Sequence, residues 1–156
     1  MQNGTERPVN RPEVNWALFA ARVIVGIIFV MHGSQKMFGA FGGPGLSGVM
    51  SPQGPGGGGV VGLLVAIGEF FGGLGLVFGF LSRFSAGVLI VVMLTAIAQV
   101  HGRNGFFLQD KGYEFCLALI GLLVPILIAG PGQFAAVRLL PLTESAAVKR
   151  IAHGLE

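Results

Sequence analysis

The chain has 156 residues, 53% of them hydrophobic and 11% charged, with a formal net charge of +3. Soluble domains carry about 25% charged residues, so this composition excludes an ordinary soluble globular protein and points to one compact domain in a bilayer. The basic residues are scattered singly, without the runs or aromatic interleaving that nucleic acid would require, and the single cysteine, Cys116, excludes an internal disulfide and a cysteine-based metal cluster.

Residues 1–15 read as a polar tail rather than a cleavable signal, because the apolar run after them is long enough to stay in the membrane. That run, Trp16–Met31, is interrupted only by Arg22. Continued as a helix at 100° per residue, it places Arg22, Gly26, Phe29, Gly33 and Lys36 in a narrow arc with His32 at its edge. Such an arc is expected to face the interior of a bundle.

Gly33–Gly59 follows, crowded with glycine and broken by Pro44, Pro52 and Pro55, so it cannot be a regular helix throughout. Phe38, Phe41, Leu46, Val49 and Met50 give it enough apolar surface to fold back as a partly ordered cap. The second span, Val60–Leu81, carries Glu69 near its middle. Gly68, Gly72, Gly75 and Gly79 form one stripe along it, which suits close helix packing. Arg83 and Ser85 mark a short turn into the third span, Ala86–Val100. The fourth, Glu114–Ala129, is stopped by Gly130-Pro131-Gly132. Beyond Phe134, an amphipathic pattern interrupted by Pro141 suits the membrane surface. The expected organisation is all-α: a tail over 1–15, a polytopic four-helix membrane bundle with a glycine-rich outer loop over 16–132, and an amphipathic tail over 133–156.

Lysine and arginine set the expected orientation. Arg7, Arg11, Arg83, Arg138, Lys149 and Arg150 fall on one side and Lys36, Arg103 and Lys111 on the other, which favours both termini in the cytoplasm.

A carboxylate inside a span is costly and is normally kept for a partner, a proton or a ligand, so Glu69 leads the candidate residues. Arg22 lies ~9 Å deep and would either snorkel to the headgroups or reach across to Glu69. His32, Lys36 and His101 gather near the outer helix ends, where imidazoles serve as donors to a carbonyl, as proton carriers, or simply as interfacial polar groups. No spacing supports a metal site. Glu114 opens its helix where the dipole favours an acid, which is sufficient reason for it. Thr95 and Gln99, one turn apart, are placed to hydrogen-bond across the bundle. No phosphate loop, nucleophile elbow or Cys-x-x-Cys is present, and Gly57, Gly59 and Gly62 fit Gly-x-Gly-x-x-Gly only in the wrong context, between a loop and a span.

The arrangement resembles the DoxX family of small bacterial four-helix membrane proteins. The resemblance rests on Arg22, on His32-Gly33-Ser34-Gln35-Lys36 and the glycine-rich loop after it, and on Gly68-Glu69-Phe70-Phe71-Gly72-Gly73 with Gly79 and Arg83. It continues through His101 to Phe107, Tyr113-Glu114 and Gly130-Pro131-Gly132, covering roughly residues 16–135 in order. It implies a bacterial inner-membrane, multi-pass protein of a family linked to thiosulfate:quinone oxidoreduction and oxidative-stress complexes. Its recurring polar positions correspond to Arg22, His32, Lys36, Glu69 and His101.

Three functions follow as expectations. The first is a redox-linked membrane component holding a quinone, with Glu69, His32 and His101 in the chemistry and Arg22, Lys36 and His32 around the bound group. No haem, flavin or metal ligand set is evident, so electrons would come from a protein partner. The second is a non-catalytic accessory subunit of a larger membrane complex. The third is a carrier of a small lipophilic or sulfur compound.

Overall fold

The computed structural model describes residues 11–55 and 57–136, and these are all-α. The first helix, α1 (Pro12–Phe38), is longer at both ends than the predicted Trp16–Met31. Pro12 starts it, its fixed φ suiting a first turn whose N–H groups have no helical acceptor. Gly39 stops it by turning left-handed at φ 70°, its N–H reaching the Ser34 carbonyl. Between those signals even the polar stretch His32–Lys36 remains helical.

The glycine-rich segment then folds back, as the expected cap would. After a tight 3₁₀ turn, Ala40–Gly42, comes a short helix, α2 (Gly45–Met50), packed on α1 and on the third helix, α3 (Gly59–Phe78). Val49 anchors it and is fully buried, while Phe41 and Met50 stay exposed. The anchor depends on glycine: a methyl group at Gly62 would lie 2.6 Å from the Val49 carbonyl oxygen.

Helix α3 ends three residues before the predicted Leu81, because Gly79 (φ 70°) turns left-handed and closes it. Then α4 (Ser82–Ala96) begins and runs on through a π-helical turn, Ile97–His101, and a 3₁₀ turn, Gly102–Asn104. The last helix among the described residues, α5 (Glu114–Ala129), matches its predicted bounds and contains Pro125. By length and composition α1, α3 and the rod Ser82–Asn104 suffice to cross a membrane, and α5 is a shorter apolar helix. The predicted amphipathic tail lies outside the described residues beyond 136.

The four long helices pack in a ring, α1 on α3, α3 on α4, α4 on α5 and α5 back on α1. Leu18, Val25, Phe29, Leu76, Leu89, Leu123 and Ile126 fill its centre. Outside, Ile24, Leu64, Val91 and Ile128 are all more than half exposed, a surface matched to lipid rather than water.

Two sets of glycines set the helix spacing. Gly68, Gly72 and Gly75 admit Val92, Leu89 and Ser85 of α4, as the stripe predicted. Gly26, Gly33 and Gly73 bring α1 and α3 nearer still: a methyl at Gly33 would sit 2.5 Å from the Phe70 nitrogen, and one at Gly73 would sit 2.7 Å from the Val30 nitrogen. Dispersion between such close backbones holds helices together where lipid offers no hydrophobic drive.

Candidate functional site: a buried lysine–glutamate pair

The antiparallel register of α1 and α3 decides which polar groups meet. Gly26 lies against Gly73 and Val77, and Gly33 against Phe70. Glu69 therefore sits level with Gly33, and Lys36, one turn further along the same face of α1, comes within reach. Lys36 Nζ donates to Glu69 Oε2 at 2.5 Å, with the two side chains 16% and 5% exposed. Among the described residues no other hydrogen bond reaches the Glu69 carboxylate, so Oε1 remains an uncommitted acceptor.

The same register carries Arg22 to the far end of α3, about 10 Å along the helix from Glu69. Arg22 is 1% exposed, so it does not snorkel, and it does not pair with Glu69. Its Nη1 donates to the carbonyls of Leu76 and Val77 at 2.7 and 2.8 Å, and Nη2 donates to that of Phe134. The guanidinium also lies 5.2 Å from the centre of the Phe19 ring. Arg22 thus completes the last turn of α3, where Leu76 O also accepts from the Gly79 N–H, and ties it to the segment after α5. A cation suits that negative dipole end.

His32 falls outside the arc: it is exposed on the flank of α1, yet near enough to Glu69 to interact electrostatically. His101 is occupied elsewhere. Its Nδ1 lies 2.7 Å from the Lys111 carbonyl, which also accepts from Asn104 Nδ2 at 3.2 Å, so the imidazole helps close the loop between α4 and α5. No hydrogen bond or ion pair joins His101 to Lys36 or Glu69. The structure joins Lys36 to Glu69, with His32 exposed on the neighbouring flank of α1, and leaves Arg22 and His101 apart.

Thr95 and Gln99 do not bond across the bundle. Thr95 Oγ1 donates to Val91 O within its own helix, and the Gln99 side chain lies against Gly57 of the cap. One group near the pair went unpredicted. Cys116, 5% exposed, lies within electrostatic range of Glu69 from the first turn of α5. Its only sequence signal was a lone thiol at the predicted start of a span. Among the described residues no three histidine, cysteine or acidic side chains come together as metal ligands would.

Aromatic rings cluster on α1 and α3 near this level of the bundle. Phe38 and Phe70, each close in sequence to a member of the pair, meet edge to face with centroids 5.2 Å apart, and Phe71 continues the cluster. The arrangement offers an ammonium donor, one free carboxylate acceptor and an exposed imidazole in a largely apolar setting. Those groups can hydrogen-bond a polar head on an apolar molecule and can hold or pass a proton.

A family model described as DoxX matches residues 17–102, a stretch that contains Arg22, His32, Lys36, Glu69 and His101. No curated protein and no solved structure matches the chain significantly.

Proposed function

The chain belongs to the DoxX family, and from that premise we propose that it is a redox-linked membrane component whose Lys36–Glu69 pair holds the head of a quinone or a similar apolar carrier. The observation that carries this reading is the pair itself: a buried salt bridge with one carboxylate oxygen still free. Lys36 and His32 would donate to the carbonyl oxygens, and Glu69 would take or give the proton that accompanies reduction. A quinone supplies two-electron chemistry, and its electrons would come from a protein partner. Cytoplasmic termini in a bacterial inner membrane complete the proposal, supported by Arg11 and Arg83 at one end of the bundle and Lys36 and Lys111 at the other.

A second reading has its own support. The Lys36–Glu69 pair also pins α1 to α3, which is what an accessory subunit without chemistry would need. One experiment separates the two. Tagged wild type and Glu69→Gln are purified in mild detergent, and co-purifying small molecules and proteins are identified by mass spectrometry. A quinone retained by wild type and lost from a folded Glu69→Gln variant is the expected result. Stoichiometric partner proteins with no ligand in either sample would favour the accessory subunit.

A further inference from the structure

On the opposite flank of α3 from the ion pair, an open groove of about 1260 Å³ runs between α3 and α4. Gly68, Gly72 and Gly75 form its floor, and the exposed Phe71, Phe84 and Val91 rise beside it. Ordinary small-molecule pockets hold about 300–1,000 Å³. This one is larger, almost wholly apolar, and extended along the helices. From Arg83 to Thr95 it follows α4 for about 18 Å, close to the ~15 Å depth of one leaflet of hydrocarbon.

Its charge lies at one end. Arg83 lines the groove there, and among the described residues no carboxylate lies within ion-pair distance of it. Its Nη2 donates to the Ile128 carbonyl at 2.9 Å, while Nε is buried without an acceptor among the described residues. A guanidinium with no acid beside it, at the end of an apolar groove, favours an anion there. No side chain caps the first turn of α4, so the positive end of its dipole adds to the same attraction.

We propose that this groove is a binding site for an anionic phospholipid, with an acyl chain laid along the α3–α4 glycine floor and the phosphate held by Arg83. Charge complementarity selects this occupant. A second copy of the chain would bring its own Arg83 to the same end, and a zwitterionic lipid gains less from a guanidinium that has no carboxylate beside it among the described residues. The site is separate from the Lys36–Glu69 pair and stands whether or not that pair binds a quinone.

The test is native mass spectrometry of delipidated full-length protein titrated with phosphatidylglycerol and with phosphatidylcholine of identical chains. Wild type is expected to bind phosphatidylglycerol roughly fivefold better, the effect of one well-placed basic residue. Arg83→Gln should erase that preference and Arg83→Lys should keep most of it. Val91→Trp, which fills the groove from the lipid side without entering the core, should weaken both lipids alike. Equal binding of the two lipids by wild type would overturn the proposal, as would a preference that survives in Arg83→Gln. Full binding by Val91→Trp would also overturn it. If Arg83→Gln fails to fold, the comparison of wild type, Arg83→Lys and Val91→Trp decides the matter.

Discussion

Lys36 and Arg22 stand on the same face of α1 and solve different problems with their charge. Lys36 meets an acid; Arg22 meets three carbonyls. Removing one partner of a buried pair strands the other, at a cost of about 3–5 kcal/mol. Lys36→Met is expected near the lower end of that range, because Lys36 keeps 16% exposure. The double variant Lys36→Met with Glu69→Leu should recover most of the loss, as denaturation midpoints in detergent would show. Arg22→Lys retains the charge but not the fork. It should lose about 2 kcal/mol, the worth of one or two charge-assisted bonds, and a midpoint equal to wild type would refute that role. The sequence singled out both residues by depth and periodicity. It left open which of them meets Glu69, since that turns on the vertical offset of two helices, and nominal span ends misplace it by a turn or more.

At the level of the helix, glycine carries the information that the polar residues lack. Gly33→Ala would push a methyl against the backbone of Phe70, which cannot move aside as a flexible side chain would. Separation of α1 and α3 is expected, with loss of the Lys36–Glu69 contact and a lower melting midpoint. Gly121→Ala in α5 has nothing within 4 Å of the new methyl and should gain up to about 1 kcal/mol from helix propensity alone. A thermal melt of the two variants beside wild type checks both signs at once. The stripe Gly68, Gly72 and Gly75 was legible because its spacing is local to one helix. The tighter contact of Gly26 and Gly33 with α3 was not, since it pairs positions some forty residues apart. The span positions were legible too, as lipid demands long apolar runs, and α5 fell on its predicted bounds. The π-helical turn Ile97–His101 left no such trace, because its own Gln99 and His101 answer to the cap and to Lys111 rather than to local pattern.

For the whole molecule, the arrangement of charge proposes a direction across the membrane. A cysteine placed at Gln53, exposed in the cap, should react with a membrane-impermeant maleimide on intact cells, and one at Glu13 should react only after lysis. The buried Cys116 serves as the blank. The reverse pattern would invert the proposed orientation. One further property follows from the unequal helices. With 16 residues, α5 rises only about 24 Å, against about 30 Å for the hydrocarbon layer, whereas α1 with 27 residues reaches about 40 Å. If α5 crosses the bilayer, lipid beside it is expected to thin by several ångströms, at fractions of a kcal/mol per ångström, while lipid beside α1 need not. The bilayer is then expected to be dented on one flank only. Reconstituted into phosphatidylcholines of increasing chain length, it should be most stable in the shorter ones. In a living membrane, neighbours with equally short spans would settle into the same dent, drawn together by thickness before any of their surfaces touch.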